Sequence, residues 1–191
     1  WQNVSYEEQI VQKSQVTKNA IERLGRIEIP EFQPILGAEK TQYYRNKMEF
    51  SFSNKRWLTE EEVQSGEDFS NRNALGFHRP GAFDKIVQID HCYLQGGLSN
   101  EIRNDVYAFA NEHNFTFFDI RNKGGLLRNL MIRTSTLDET MVVVIFYDDD
   151  KEKRELLLNF VAEKFPEITS LQYLVNQKAN DTIYDQKIIC F

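Results

Sequence analysis

The amino-acid sequence predicts an α+β fold with a mainly antiparallel sheet and helices packed on one face. Several segments alternate apolar and polar residues, as half-buried strands do, and others repeat apolar residues at helical spacing. From residue 85 the predicted order is strand, helix, one or two strands, strand, helix, strand. This is the split βαβ order of a ferredoxin-like sheet.

The first predicted element is a helix over residues 5–24. Ser5 and Glu8 have the spacing of a capping box, and Gly25 follows the last helical residue. Two prolines then favour an extended connector. We assign residues 1–40 to this helix and connector, 41–180 to a central α+β domain, and 181–191 to the start of a connection to a further domain.

The next elements are predicted strands. In residues 43–54, Met48, Phe50 and Phe52 alternate with charged or polar residues, which predicts one buried face and one charged face. Residues 74–79 and 84–90 are expected to form a hairpin, because a Pro-Gly turn dipeptide lies between them.

The second half of the chain completes the pattern. Ser99 is expected to cap a helix over residues 99–114, and a second helix over 151–165 ends before a proline. The remaining strands are predicted where β-branched and aromatic residues dominate, at 115–120, 126–135, 140–147 and 170–177.

Composition excludes several classes of protein. The 191 residues carry 23 basic and 29 acidic side chains, a net charge of −6, which argues against an indiscriminate polyanion binder. The two cysteines, Cys92 and Cys190, give no disulfide framework and favour a reducing, cytoplasmic compartment. No apolar stretch approaches the length of a membrane span, so no membrane partner is expected.

Three segments nevertheless combine basic and aromatic residues, at 43–57, 76–85 and 119–133. Arg45 and Lys47 share one face of the first predicted strand, and Arg56 follows it beside an aromatic residue. Cations in such a place can hold phosphates while the aromatic ring stacks on a base. Arg128 and Arg133 should lie on opposite strand faces unless a bulge intervenes. The alternative for all these side chains is a solvated outer face of the sheet.

Other polar features have simpler explanations. The aspartates at 148–150 precede a helix and are expected to cap it rather than to bind Mg²⁺. The three histidines lie in separate segments without the spacing of metal ligands. Cys190 is expected to be buried and inert in an apolar terminal strand. Cys92 follows a strand, so it is either a core thiol or an outward-facing group.

Four blocks of the sequence, taken in order, resemble successive blocks of the bacterial S-adenosylmethionine-dependent RNA (uracil-5-)-methyltransferases, which modify ribosomal or transfer RNA. The blocks are "YYRNKMEFSFSNKRW", "LGFHRPGAFDKIVQIDHCYLQ", "GGLLRNLMIRTS" and "VNQKANDTIYDQ". The resemblance covers nearly the whole chain, and four blocks in the right order are more specific than any one of them. The opening "WQNVSYEEQIVQK" also resembles the stretch that follows a cysteine cluster in these enzymes.

The resemblance implies a role for Cys92. Many family members bind a [4Fe–4S] cluster through three upstream cysteines and a fourth after an I-x-x-C segment, which "IDHC" at 89–92 matches. The three other ligands would precede Trp1, so we expect this chain to hold no cluster and Cys92 to be an unpartnered ligand. The Trp1 backbone should then lie within about 15 Å of the Cys92 sulfur.

The resemblance also implies that catalysis takes place outside these residues. In the family a cysteine thiolate adds to uracil C6, S-adenosylmethionine supplies the methyl group to C5, and a base removes the C5 proton. Those groups and the S-adenosylmethionine site would follow residue 191, and Cys190 does not match the catalytic cysteine. An amino-terminal β-barrel domain, present in many members, would precede residue 1.

The sequence therefore predicts the central domain of a cytoplasmic, monomeric RNA uracil-5-methyltransferase that is inactive as an isolated segment. The predicted contacts to the backbone of ribosomal or transfer RNA are Arg45, Lys47, Arg56 and Arg128. The alternative is a standalone ferredoxin-like binding module with Cys92 in its core and no catalytic activity.

Overall fold

The first of two compact units contains one long helix. A computed structural model describes residue 1 and residues 3–191, and it divides them into Trp1–Tyr43 and Tyr44–Phe191. Helix α1 spans Tyr6–Asn19 and continues as a π-helical segment over Ala20–Leu24. The Ser5 hydroxyl accepts a hydrogen bond from the backbone N–H of Glu8 at 3.2 Å, which satisfies one free donor of the first turn. The predicted helix is confirmed, with a π-helical final segment.

The connector after α1 is extended and returns along the helix. The backbone N–H of Ala38 donates to the Tyr6 hydroxyl at 2.6 Å. A Cβ atom placed on Gly37 would lie 3.2 Å from the Ile10 side chain, so this part of the connector packs closely on the helix. Neither a helix nor a strand occurs in the described residues 26–43, as the prolines predict.

The second unit is built on a mixed sheet. Within the described residues it contains seven strands in the order β3-β2-β1-β4-β5-β6-β7. The strands are β1 Lys47–Ser53, β2 Ala74–Arg79, β3 Ala82–Gln88, β4 Leu127–Thr134, β5 Thr140–Phe146, β6 Ile168–Val175 and β7 Ile189–Cys190. The helices are α2 Glu60–Ser65, α3 Ser99–Glu112 and α4 Lys151–Lys164. No helix of the described part of the chain is long and apolar enough to span a membrane.

The predicted antiparallel character of the sheet is confirmed, but the ferredoxin-like order is not. A split βαβ unit requires another strand between the two that its helix connects. Here β5 and β6 pair directly and in parallel, and α4 is an ordinary crossover between neighbours. The strand before α3 lies at the sheet edge, because β2 and β1 separate β3 from β4. The other described strand pairs are antiparallel.

The main core lies between the sheet and the helices α3 and α4. Met48, Phe50 and Phe52 of β1 are buried there, as their alternation predicts. The two helices contribute to the same cluster, which places both on one face of the sheet; their buried apolar residues are Ile102, Val106, Ala110, Leu157, Leu158 and Val161. A smaller cluster of Met131, Val143, Ile145 and Leu174 lies on the opposite face.

Three local predictions are corrected by the structure. Leu98 occupies the N-cap position of α3, while Ser99 is buried and its hydroxyl donates to the Gln95 side chain at 2.7 Å. Residues 115–120 form isolated bridges instead of a strand. Cys190 is exposed rather than buried, because β7 is a two-residue strand paired only with β6 in the described chain.

Candidate nucleic-acid interface

A cleft of about 570 Å³ lies where the chain leaves β1, passes through α2 and returns toward β2. We call it the cation–aromatic cleft, and it is lined by Arg56, Trp57, Leu58, Glu62, Val63, Glu67, Asp68, Phe69, Ser70, Arg72 and Lys85. Two aromatic rings and three cations thus face one space, together with three carboxylates. The lining is therefore mixed in charge and not uniformly basic.

Backbone hydrogen bonds fix the floor of this cleft against the sheet. The N–H of Trp57 donates to the carbonyl of Ile86 in β3 at 2.7 Å, and the N–H of Ile86 donates to the carbonyl of Lys55 at 3.2 Å. The N–H of Arg56 donates to the carbonyl of Arg72 at 2.7 Å. Residues 55–57 are therefore held on two sides, which gives their side chains a rigid base.

The predicted RNA contact Arg56 already has a carboxylate partner. Its guanidinium lies 2.9 Å from a carboxylate oxygen of Glu62 and stacks over the ring of Phe69, with 5.3 Å to the centroid. Glu62 is itself held by a capping box with Thr59 at the start of α2. The hydrogen bond from the Thr59 backbone, followed by the contact with Arg56, lowers the pKa of the Glu62 carboxyl. Arg56 therefore serves first to shape the cleft.

Three other cationic side chains near the cleft have no carboxylate partner in the described structure. Among the described residues, Arg72, Arg79 and Lys85 form no ion pair. The Arg79 guanidinium lies over the Trp57 ring at 4.0 Å, a close cation–π contact. Arg72 donates to the Arg56 carbonyl at 3.1 Å, and its buried Nε atom has no acceptor in the described structure. Arg72 was not predicted from the sequence, because it lies outside the basic segments and only the fold brings it close to Arg56.

Arg45 and Lys47 do not join this cleft. Both are exposed, but Lys47 begins β1 and Arg45 precedes it, whereas the cleft lies beyond the other end of that strand. The seven residues of β1 separate the two places by about 20 Å, at roughly 3.3 Å per residue. Lys47 lies instead beside Arg133, its exposed cross-strand partner on β4. The four predicted contacts therefore do not form a single site.

Arg128 is placed by a bulge in β4 and is only 5% exposed. Its Nη1 atom donates to the carbonyls of Asn176 at 2.6 Å and Lys178 at 2.9 Å, and Nη2 donates to that of Asn180 at 2.8 Å. The guanidinium also lies over Phe118 at 5.0 Å. Burial lowers the pKa of Arg128. These contacts hold the segment after β6, so the interaction visible here is intramolecular.

Cys92 lies in the loop between β3 and α3 and is 5% exposed, within the main core cluster. Its backbone N–H donates to the side-chain oxygen of Asn100 at 2.7 Å, and the guanidinium of Arg103 donates to the same oxygen at 2.9 Å. Such burial is typical of a core thiol. Cys92 and Trp1 belong to different compact units, so their predicted separation of about 15 Å stays a prediction.

The residues present do not by themselves fit a metal cluster. No group of three or more His, Cys, Asp or Glu side chains in the described ranges, 1 and 3–191, could hold a metal ion. A four-cysteine site would need thiolates from outside these residues. At 148–150, the Asp150 side chain accepts the backbone N–H of Lys153 at 3.1 Å, which confirms the predicted cap of α4.

Comparison with known proteins identifies close relatives. A protein of Bacteroides thetaiotaomicron named as an uncharacterized RNA methyltransferase is 50% identical over the whole of this chain and 43% of its own length. One of Porphyromonas gingivalis with the same name is 52% identical over the whole chain and 42% of its own length. A third, of Chlorobaculum tepidum, is 38% identical over 76% of this chain. The chain thus spans less than half the length of these relatives, and no protein-family model matches it.

A solved structure shares the fold. The tRNA (uracil-54, C5)-methyltransferase of Pyrococcus abyssi, crystallised with S-adenosyl-L-homocysteine, matches 97% of this chain and 39% of its own chain with a TM-score of 0.64. The sequence identity is 20%, so this similarity describes the backbone arrangement alone.

Proposed function

This chain belongs to the RNA methyltransferases, and we propose that it forms the central, RNA-contacting domain of an enzyme that methylates uracil C5. The family rests on identities of 50% and 52% over the full chain. The uracil-C5 specificity rests on the four sequence blocks and is supported by the name of the structural neighbour. We further propose that the enzyme is cytoplasmic and monomeric and acts on ribosomal or transfer RNA.

The cation–aromatic cleft is the observation that supports RNA contact by this domain. Trp57 and Phe69 line this cleft, each with a guanidinium over one ring face, and the lining cations Arg72 and Lys85 form no ion pair among the described residues. Single-stranded nucleic acids bind where bases can stack on aromatic rings while cations follow the backbone. Arg56 and Glu62 neutralise each other and hold one side of the cleft. Arg72 and Lys85 are then the lining cations that can meet phosphates, beside the carboxylates of Glu67 and Asp68.

Binding of labelled single-stranded RNA by the full-length protein, measured over a range of salt concentrations, tests this assignment. We expect Lys85→Glu to weaken binding and to reduce the salt slope by about 0.7 for each lost phosphate contact. Trp57→Ala should weaken binding about fivefold or more with an unchanged slope. Lys151→Glu is the matched control, because Lys151 is exposed in the first turn of α4. Wild-type affinity in both cleft variants would reject the cleft.

The same assay tests the sequence-based predictions for Arg45, Lys47, Arg56 and Arg128. Of these, Arg45 and Lys47 are exposed and free to reach a phosphate, whereas Arg128 is engaged with backbone carbonyls. We expect charge reversal at Arg45 or Lys47 to weaken RNA binding only if the RNA also contacts the end of β1 at which Lys47 lies. Arg56→Glu should weaken binding mainly by disrupting the cleft, since its partner is already Glu62.

S-adenosylmethionine is the proposed methyl donor, bound outside these 191 residues. When bound, it supplies the methyl group that replaces the hydrogen at uracil C5. Release of tritium from RNA that carries [5-³H]uridine, by the full-length protein with this donor, tests the reaction. No release, together with methylation at another atom by nucleoside mass spectrometry, would reject uracil C5 as the target.

The iron–sulfur cluster that the resemblance implies stays a prediction for the full-length protein. It requires the Cys92 thiol to leave its core packing or to face three thiolates that lie outside this chain. Iron and sulfide analysis of protein purified without oxygen should give four iron atoms per chain, and Cys92→Ser should lower this content. Iron-free wild-type protein would make Cys92 a core thiol only.

A further inference from the structure

A second cleft, of about 370 Å³, lies beside the cation–aromatic cleft. We propose that it binds one unpaired nucleobase of the RNA, an inference that rests on the proposed function above. We call it the amide cleft, because Asn54, Asn71, Asn73, Asn111, Asn114 and Thr116 line it together with the residues next to Thr116. Its lining contains no ionisable side chain.

The two clefts share one segment of chain. Along residues 70–73, Ser70 and Arg72 line the cation–aromatic cleft, whereas Asn71 and Asn73 line the amide cleft. This alternation is expected of an extended segment, whose successive side chains point to opposite sides. An RNA strand whose phosphates contact Arg72 would therefore lie next to the side-chain amides of Asn71 and Asn73, the sequence neighbours of Arg72.

Hydrogen bonds hold the amides in fixed orientations. The side-chain oxygen of Asn111 accepts from the side-chain nitrogens of Asn71 at 3.1 Å and Asn73 at 2.9 Å. The Asn111 nitrogen donates to the carbonyl of Tyr107 at 2.8 Å, one turn earlier in α3. Each amide NH₂ group has two protons, so Asn71 and Asn73 each keep one donor after this contact. A ligand would thus meet donors that are already ordered.

Two further amides complete the lining. The Asn54 nitrogen donates at 3.2 Å to Asp119, whose carboxylate only accepts, so the Asn54 oxygen must point the other way. That oxygen is buried and has no partner among the described residues. Asn114 has the left-handed backbone that asparagine tolerates, with φ +54°, and its side chain is exposed without a hydrogen bond in the described structure.

The chemistry of the amide cleft fits a base better than a phosphate. A neutral lining offers a phosphate no charge, whereas a primary amide presents one donor and one acceptor side by side, as the edge of a nucleobase does. Asparagine pairs in this way with adenine. Proteins that read RNA sequence do so mainly at unpaired bases, whose edges are free. The cation–aromatic cleft would hold the backbone, and the amide cleft would then read a neighbouring base.

Binding of single-stranded RNA of mixed sequence to the full-length protein tests this inference. The probes are the labelled RNA and copies in which one nucleotide at a time is abasic. The variants are Asn73→Ala and Asn114→Gly, and glycine keeps the left-handed backbone while it removes the amide. Asn159→Ala is the matched control, because Asn159 is an exposed asparagine of α4. Thermal unfolding and circular dichroism of each variant verify that it is folded.

In the wild type we expect one abasic substitution to weaken binding about fivefold or more. Asn73→Ala and Asn114→Gly should weaken binding of intact RNA, and in the double variant the same abasic substitution should have no further effect. The salt slope should stay unchanged, because a neutral amide displaces no counterions. Asn159→Ala should behave as the wild type.

Three outcomes would overturn the inference, and they are distinguishable. If the asparagine variants bind intact RNA as the wild type does while Lys85→Glu and Trp57→Ala bind weakly, the amide cleft is not a base site and the proposed function stands. If no variant of either cleft alters RNA affinity, the proposed RNA contact at the cation–aromatic cleft fails as well. An abasic penalty that persists in the double variant also rejects the amide cleft.

Discussion

The contacts of Arg128 predict that Arg128→Ala will release the segment after β6. The side chain donates three hydrogen bonds to backbone carbonyls of residues 176–180. At about 1.5 kcal/mol for each bond from a charged donor, their sum is about 4.5 kcal/mol. The cost of burying the guanidinium, which also lowers its pKa, offsets part of this sum. We expect the opening free energy of the segment to fall by about 3 kcal/mol.

Amide hydrogen exchange of the full-length protein measures this change locally. The N–H of Asn176 donates to the carbonyl of Phe146 at 2.8 Å, and the N–H of Lys178 donates to the side chain of Asn176 at 3.1 Å. These amides report on opening of the segment. A loss of about 3 kcal/mol should accelerate their exchange about 100-fold, because each 1.4 kcal/mol is a factor of ten.

Arg133→Ala is the control, because Arg133 is an exposed arginine of the same strand. It should leave exchange in residues 176–180 unchanged. If Arg128→Ala accelerates that exchange less than threefold, the hydrogen bonds do not hold the segment. If it also reduces the salt slope of RNA binding, Arg128 contacts phosphate as the sequence predicted.

Three further predictions concern stability, each measured by unfolding of the full-length protein. Gly125→Ala should lower the free energy of unfolding by about 2 kcal/mol or more, because the φ angle of Gly125 is +113° and the new Cβ would lie 2.4 Å from the Phe117 carbonyl oxygen. Unchanged stability would refute this close approach. Burial alone would raise the pKa of Asp119, but hydrogen bonds, first from Lys55, hold it well below its usual range. A depressed carboxyl pKa stabilises the fold above about pH 4, and this stabilisation is lost as the pH falls through the folded-state pKa. The loss of unfolding free energy caused by Asp119→Asn should therefore become smaller below about pH 4. A loss that does not depend on pH would contradict this. Phe50→Ala should cost about 3 to 5 kcal/mol, because the ring is fully buried, and a cost below about 1 kcal/mol would place it outside the core.

Much of the local structure follows from sequence patterns. The alternation of Met48, Phe50 and Phe52 predicts both β1 and its buried face, since side chains of a strand point alternately to its two sides. The Pro80-Gly81 turn predicts the β2–β3 hairpin, whose strands pair as expected. These signals succeed because they depend on neighbours within a few residues.

The order of strands was not predictable in the same way. The succession of strands and helices is common to a ferredoxin-like sheet and to this one, and only pairing distinguishes them. Pairing depends on contacts between distant residues, such as Lys47 with Arg133 across β1 and β4. The failed prediction of a strand at 115–120 has a related cause, because Phe115 and Phe117 are buried in the core without regular strand pairing.

The candidate site shows the same division. The sequence identified Arg56 and Trp57 and proposed a stacking and phosphate-binding role, which follows from residue type. It could not show that Glu62 already pairs with Arg56 or that Arg72 joins the same cleft. The sequence also predicted both Arg128 and Arg45 as RNA contacts, although Arg128 is buried and Arg45 is exposed.

By itself, the sequence determined the class of elements, their buried faces and the family resemblance, because these depend on residue types and their spacing along the chain. The tertiary structure decided which cations remain unpaired, where asparagines from distant segments meet, and that Cys92 packs in the core. Burial and charge pairing are properties of the surroundings that folding builds, so a residue's type does not fix whether its charge stays free to meet a ligand.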